Sequence, residues 1–345
     1  MILVDTGSIY HRMIFGSTKD LTNTRSNGKL ETKEYIQLLL SYILEEILSL
    51  YQKTKEYGEL VLCFDDHSTK YWRCDILPEY KSQRKETKDA SKIDYTEVYQ
   101  YLDELTETLE KYLPLKTLCV KRAEADDIIL VLAKEFQEKT LIYSPDKDFI
   151  QAQRRPGVFQ YSALTKKWIT PETKGCMQDW IYSHISLGDV SDGVPKIVDE
   201  TEFTDETLKY LKEFNISNVY DFKELKHFNK LPSNLDLFKI EYKKIRFGEK
   251  TLKKMLDNGE FKNLLESNKQ VKKNFVRNAE LVMEEGIPDY LRKNIILEYQ
   301  QKVSNYNEEK FIEYLNKYDL TNIIQSLPLY FKSETEIDIT NHGWF

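Results

Sequence analysis

The chain has 345 residues, enough for one large domain or two modest ones, and with 41% hydrophobic and 12% aromatic residues it can bury a core. A net charge of −7 does not advertise a nucleic-acid binder, but an acidic site neutralised by cations, or an uneven spread of charge, leaves that class open. Cys63, Cys74, Cys119 and Cys176 form no CxxC pair and no metal-ligand spacing. Cys63 and Cys119 sit in apolar runs and read as buried thiols, so a reducing, intracellular setting is expected, without a secretory signal.

Residues 1–5 read as a central strand, with a polar loop expected at about 17–31. A long helix is expected over about 32–57, with Ile36, Leu39, Leu40, Ile43, Leu44, Ile47, Leu48 and Tyr51 at helical spacing. Its most apolar stretch, Tyr35–Tyr51, is interrupted by Gln37, Glu45 and Glu46, and is too polar and too short for a membrane span. A strand at 60–65 leads into a polar, basic segment, 67–93, without clear periodicity. A helix over about 94–113 ends at Pro114. A strand at 115–120, a helix at 124–137 and a strand at 139–143 follow. Short strands at 158–161 and 167–170 suit a hairpin. Composition shifts near 186, and from there to about 327 the pattern is mostly helical and rich in Lys, Tyr and Phe. The expected organisation is therefore an α/β domain over 1–185, a helical domain over 186–331 and a flexible tail over 332–345. Apolar strands alternating with helices predict a central, mainly parallel sheet flanked by helices.

Acidic residues follow the apolar runs. Ile2-Leu3-Val4 ends at Asp5, and Leu60-Val61-Leu62-Cys63-Phe64 ends at Asp65 and Asp66. Leu141-Ile142-Tyr143 leads to Asp146 and Asp148. Glu124, Asp126 and Asp127 open a helix, and Gly188-Asp189-Val190-Ser191-Asp192-Gly193 adds another pair. Parallel sheets bind ligands at the carboxyl ends of their strands, so these acids should share one crevice. Crowded carboxylates repel and raise one another's pKa, and hard divalent cations relieve the repulsion. A two-ion phosphoryl-transfer site is the physical expectation.

Each group also has an ordinary structural reading. Asp146 and Asp148 alone would be an Asx turn, and Glu124, Asp126 and Asp127 would be acids favoured at a helix N-terminus. Asp127 stands evenly between ligand and first-turn acid, and Asp66 reads as a loop or capping acid. Within 67–93, Lys70, Arg73, Lys81, Arg84 and Lys85 are interleaved with Tyr71, Trp72 and Tyr80. That mixture suits single-stranded nucleic acid, or a solvated loop. Lys243, Arg246, Lys250 and Lys253 would share one helical face able to track phosphates, with Gly248 as a candidate break.

In order and spacing these clusters resemble the flap-endonuclease superfamily of 5′ nucleases, most nearly its branch of ribonucleases H from large tailed phages. The resemblance rests on Ile2-Leu3-Val4-Asp5, Val61-Leu62-Cys63-Phe64-Asp65, Tyr71-Trp72-Arg73 with Tyr80-Lys81, Glu124-Ala125-Asp126-Asp127, Ser144-Pro145-Asp146-Lys147-Asp148-Phe149, and Gly188-Asp189 with Asp192. It covers residues 1 to about 195, and beyond 200 only a general helical character. It implies a PIN-like 5′-nuclease core, a helical arch at about 67–93, and two Mg²⁺ ions, for which Mn²⁺ can substitute. Carried over by position, Asp5, Asp65, Glu124, Asp126 and Asp146 would form the first metal site. Asp148, Asp189 and Asp192 would complete the second, and Asp127 matches an acidic position in the phage branch. Arg73 and Lys81 would hold the scissile phosphate, and Lys70, Tyr80, Arg84, Lys85 and Lys196 are the expected nucleic-acid contacts.

The resemblance implies a monomeric 5′-to-3′ nuclease that removes RNA primers and adjacent DNA at 5′ ends or flaps. It would act during replication, inside an infected bacterial host. Gly343-Trp344-Phe345 would dock a sliding clamp or a single-strand-binding protein. One departure is plain: where much of the family has a glycine-rich helical hairpin gripping the duplex, this chain reads Gly193-Val194-Pro195-Lys196-Ile197-Val198-Asp199-Glu200. A PIN-type endoribonuclease and a non-catalytic branched-DNA-binding protein remain as alternatives. A phosphatase using a DxD nucleophile fits less well, because the first strand ends in Asp5-Thr6-Gly7.

Overall fold

Residues 1–24, 32–82, 95–170 and 177–331 are described by a computed structural model of the chain. They fall into two units. The first comprises the described residues of 1–72, 95–170 and 287–331, and the second those of 73–82 and 177–286.

The first unit is built on a six-stranded sheet of order β3-β2-β1-β4-β5-β6. Its strands are β1 (Ile2–Asp5), β2 (Leu60–Phe64), β3 (Lys116–Cys119), β4 (Thr140–Tyr143), β5 (Val158–Ser162) and β6 (Lys167–Ile169). All neighbours run parallel except β6, which returns antiparallel to β5 as the expected hairpin. Strand β1 lies between β2 and β4, with Asp5 level with Cys63 and Val4 level with Tyr143. The connections change side at β1, the position where open α/β sheets form a crevice.

Helix α1 (Thr6–Thr24) starts directly after β1, α2 (Thr32–Gln52) follows it, and α3 is a single turn (Thr54–Tyr57). The expected apolar face of α2 is realised: Leu39, Leu40, Ile43, Leu44, Ile47 and Leu48 are buried. The expected helix to 57 is interrupted at Lys53, and Gly58 at φ +89° turns the chain into β2. The expected polar loop at 17–31 is helical as far as Thr24. Helix α4 (Tyr95–Tyr112) and α5 (Ala125–Glu135) match their predicted segments. Cys63 is buried as expected, whereas Cys119 is exposed, because β3 is an edge strand.

Helices α12 (Asp289–Gln301), α13 (Glu308–Lys317) and α14 (Thr321–Phe331) complete this unit. Phe311, Tyr314, Leu315, Leu320, Ile323 and Leu327 enter the same apolar core as α1, α2 and α4. The boundary at 185 therefore does not describe the grouping seen here. The apolar faces of α13 and α14 are buried in the first unit, so the helical second half is divided between the two.

The second unit holds α6 (Met177–Leu187), α7 (Asp205–Lys212), α8 (Val219–His227), α9 (Glu249–Asp257), α10 (Glu260–Ser267) and α11 (Lys269–Val282). It also contains a two-stranded antiparallel sheet, β7 (Thr201–Phe203) with β8 (Tyr242–Lys244), where the sequence pattern suggested helix. Lys243 lies in β8, and Gly248 caps the N-terminus of α9, so the proposed single helical face from Lys243 to Lys253 does not form. Ile197, Phe247, Leu252, Phe261 and Val271 make one small core here, and Phe203, Leu211, Ile216, Val219 and Phe222 another. Arg84, Lys85 and the 332–345 segment lie outside the described residues.

Candidate active site

Asp5 is the last residue of the central strand. Its Oδ1 accepts from the Ser8 backbone N–H (3.1 Å) and its Oδ2 from Ser144 Oγ (2.9 Å). Ser144 Oγ in turn accepts from the Asp146 backbone N–H (3.1 Å). A single hydroxyl thus joins the carboxyl ends of β1 and β4. Asp146 Oδ1 accepts from the Asp148 N–H (2.9 Å), starting the 3₁₀ helix Lys147–Arg154. Gln160, a buried polar residue of β5, donates to the carbonyls of Ser144 (3.0 Å) and Asp146 (2.6 Å) and fixes the turn from beneath.

The Asp146 carboxyl reaches solvent on one side yet is crowded by protein on the other. Desolvation, with the negative charges of Asp148 and Asp5 added, pushes its pKa up to about 7. The expected Asx turn at Asp146 is present, and the charges of Asp148 and Asp5 act on the same carboxyl.

Asp65 follows β2, and its Oδ1 accepts from the Ala125 N–H (2.8 Å), which ties it to the start of α5, where Asp126 lies in the first turn. The buried Cys63 thiol is pushed well up by burial and then by the charges of Asp5 and Asp126. Glu124 and Asp127 hold the start of this helix. They form a reciprocal capping box at the α5 N-terminus, and Asp127 Oδ2 accepts from the Glu124 N–H (2.9 Å) and from Trp72 Nε1 (3.0 Å). Both side chains are fully buried. The cap and the indole occupy Asp127 Oδ2, as the first-turn reading of this residue expects. Asp66 is structural as expected: it accepts from Ser68 N–H and Oγ, Thr69 Oγ1 and the Arg122 N–H. Burial opposes its charge, but these donors prevail and hold its pKa at about 2.

Asp189 and Asp192 belong to the second unit. Asp189 Oδ1 accepts from Ser191 N–H (2.7 Å) and Oγ (2.6 Å), closing an Asx turn. Gly188 has φ +63°, and a Cβ there would lie 2.3 Å from Val194 O, so only glycine fits. Asp192 Oδ2 accepts from Tyr80 Oη (2.9 Å) and lies 3.6 Å from Lys81 Nζ, while its backbone carbonyl accepts from the Lys81 N–H (2.9 Å). Arg73 is buried and donates from Nε to Leu281 O (2.7 Å).

Several expected contacts with substrate are thus otherwise engaged. Tyr80 is buried, with Arg73 and Lys81 against its ring, so its face is not offered for stacking. Lys196 donates to Glu200 Oε1 and Phe247 O (both 2.8 Å), which takes it out of the set of open basic groups. Lys70 remains exposed. Sequence reasoning passed over Ser144 as a bridge and Gln160 altogether. The one signal for Gln160 was a polar residue in an otherwise apolar strand.

Among the described residues no three His, Cys, Asp or Glu side chains are closed into a coordination shell. The donors nonetheless suit a hard divalent ion, because every one is a carboxylate oxygen and Asp146 carries the strain of unrelieved negative charge. Mg²⁺ commonly takes only one or two carboxylates and keeps several waters, so a closed shell is not a requirement.

A mainly parallel sheet with acids at the carboxyl ends of its central strands defines an α/β protein with carboxylates gathered where those strands end. The chain belongs to the 5′-3′ exonuclease family: the profile of the 5′-3′ exonuclease N-terminal, resolvase-like domain matches residues 1–180. It is similar to ribonuclease H of Enterobacteria phage T4, 32% identical over 154 residues, 44% of this chain and 50% of that protein. It is also similar to a 5′-3′ exonuclease of Buchnera aphidicola subsp. Schizaphis graminum, 30% identical over 232 residues, 64% of this chain and 73% of that protein. A solved structure of T5 5′-exonuclease with bound divalent zinc ions aligns at a TM-score of 0.45 and 16% identity, covering 93% of this chain and 98% of that one. The chain thus spans about half the length of its phage T4 relative.

Proposed function

We propose that this chain is a metal-dependent nuclease that hydrolyses phosphodiesters in the 5′-to-3′ direction at 5′ ends or flaps, removing RNA primers and adjacent DNA during replication. The observation that carries the reading is the crowding of Asp146 by Asp148 and Asp5 at the adjacent carboxyl ends of β1 and β4. Family membership supplies the reaction class. Two Mg²⁺ ions, replaceable by Mn²⁺, are the proposed cofactors, held by Asp5, Asp65, Asp126, Asp146 and Asp148. Bound ions supply a lowered pKa for an attacking water and charge to stabilise the departing oxygen.

The chain's own residues orient this chemistry. Ser144 and Gln160 fix Asp5 and Asp146. Lys81 is proposed to contact a substrate phosphate by exchanging its Asp192 partner for a phosphate oxygen. Arg73, fixed to Leu281 O, supports the same segment from within. Glu124 and Asp127 are proposed to act by holding the α5 N-terminus, and so Asp126, in place. The protein is proposed to act as a monomer on DNA and RNA–DNA duplexes. No helix among the described residues is long and apolar enough to cross a membrane.

The test is incubation of labelled 5′-flap and RNA-primed duplexes with Mg²⁺, with EDTA and Asp146→Asn as controls. Short 5′ products that need both the ion and Asp146 support the reading. Tight binding without products in Mg²⁺ or Mn²⁺ makes this a binding protein instead.

A further inference from the structure

Away from the strand-end carboxylates, the sheet of the first unit carries a row of rings. Tyr143 of β4, Tyr161 of β5 and Trp168 of β6 are register partners, so the three stand side by side across neighbouring strands. The Tyr143 and Tyr161 rings are stacked with centroids 5.9 Å apart, and Trp168 meets Tyr161 edge-on at 5.3 Å. Leu141, two residues before Tyr143, points to the same face of the sheet. The row opens toward the sheet edge: Tyr143 is buried, Tyr161 is half-buried and Trp168 is 54% exposed.

Between this row and α2 lies a cavity of about 540 Å³, within the size range of small-ligand sites. Leu50, Tyr57 and Leu141 line it with apolar surface, and Glu45, Glu46 and Glu56 add carboxylates. All belong to the first unit. Glu46 is held in place, since its Oε1 accepts from Tyr143 Oη (2.9 Å) and from Arg12. Glu45 Oε1 accepts from two neutral donors, Ser41 Oγ (3.4 Å) and Asn322 Nδ2 (3.0 Å). Among the described residues neither Oε2 accepts a hydrogen bond. The margin of the cavity already holds an ammonium in this way. Lys139 is paired with Glu56, and its Nζ lies 4.4 Å from the Tyr57 ring centroid and 5.8 Å from that of Phe159. Lys53, the one cation of the lining, forms no ion pair among the described residues.

We propose that this cavity binds a linear organic polyamine. Aromatic faces attract cations, Trp most strongly, and a carboxylate oxygen with open lone pairs takes the N–H groups of an ammonium. Three carboxylates against one ammonium in the lining disfavour a ligand that carries phosphate. A bare metal ion would make no use of the rings or of Leu50 and Leu141. The carboxylates come at two stations, Glu45 and Glu46 in α2 and Glu56 in α3, with apolar lining beside them. Ammonium groups separated by methylenes match that pattern. Lys53 lies in the same lining and is the competitor that an incoming amine must displace. This site is separate from the carboxylates proposed to hold metal and does not depend on the nuclease reading. It is nonetheless next to them in sequence, because Tyr143 directly precedes Ser144, whose hydroxyl joins Asp5 to Asp146.

The experiment is calorimetric titration of full-length protein with spermidine, in EDTA and without nucleic acid. An octanediol serves as an uncharged chain of similar length. Saturable binding of spermidine and none of the diol is expected. Glu46→Gln should weaken binding about tenfold or more, because a hydrogen bond to a charged group is lost. Trp168→Ala should weaken it about two- to fivefold, the range of an exposed cation–π contact. Lys53→Gln should strengthen it by up to about fivefold, since a like charge leaves the cavity. Glu298→Gln, which removes an exposed acid elsewhere in the first unit, and Asp146→Asn should leave it unchanged. Glu46 also holds Arg12 and Tyr143, so a melting temperature accompanies each variant. The exposed Trp168 and Lys53 carry the test if Glu46→Gln fails to fold. Absence of saturable binding, equal binding of the diol, or parental affinity in folded Trp168→Ala and Lys53→Gln would overturn the site. So would a loss confined to Asp146→Asn, which would place the amine among the strand-end carboxylates. Cleavage plays no part in these readings, so their failure would leave the nuclease reading standing.

Discussion

Two aspartates show how opposite environments set opposite pH behaviour. Asp146 has a pKa of about 7 in the folded protein against an ordinary 3.8, so folding favours its protonated form. Without divalent ions, its contribution to stability is expected to fall as pH rises from about 4 to about 7. Asp146→Asn should therefore have a higher melting temperature than the parent at pH 8 in EDTA while losing nearly all cleavage. A lower melting temperature would argue against the crowding. Asp66 has the reverse sign. Its pKa of about 2 lies below 3.8, so its stabilisation is complete above about pH 4 and is lost as pH falls toward 2. Asp66→Ala is expected to cost about 2 kcal/mol at pH 7, less at pH 3, measured by urea unfolding.

At the level of elements, the turn that carries Asp189 and Asp192 is held by Gly188. Gly188→Ala would force a Cβ against Val194 O and should destabilise the protein by about 1–3 kcal/mol, read as a fall in melting temperature. Lys81→Ala is expected to slow cleavage more than it weakens binding, measured as kcat against Kd. A loss confined to affinity would leave Lys81 as a positioning contact. The strands, and with them Asp5, Asp65 and Asp146, were legible in the sequence because each is an apolar run that stops at an acid. The Ser144 bridge was not, because a lone hydroxyl has no periodicity. Helix α1 was missed because Gly7, Gly16 and a polar second half obscure the few inward residues, Ile9, Tyr10 and Ile14. Strands β7 and β8 are three residues each and about forty apart, too short and too distant for a pattern to link them. Tyr80 could be read as a stacking ring from its basic neighbours. Only the fold reveals that its hydroxyl is spent on Asp192.

For the whole molecule, the division of the helical second half matters most. Phe311 and Leu315 are fully buried in the first unit's core. Phe311→Ala should therefore cost about 3–5 kcal/mol, and the loss should appear in the unfolding of the sheet-bearing unit. Hydrogen exchange of β1 and α2 amides would register it. If those amides keep their protection while only 287–331 opens, the C-terminal helices would be an appendage and not part of this core.

The return of α13 and α14 also sets a schedule for synthesis. The sheet is fully translated by Ile169, but the side chains that close its core begin at Phe311. At about 5–20 residues per second, the ribosome needs roughly 7–28 s to cover that interval. Throughout it, the apolar surfaces of α2 and α4 that await α13 and α14 stay open to water, to chaperones and to other nascent chains. A message interrupted before Phe311 would thus yield sheets with that apolar surface uncovered, so helices made late decide when strands made early are sheltered.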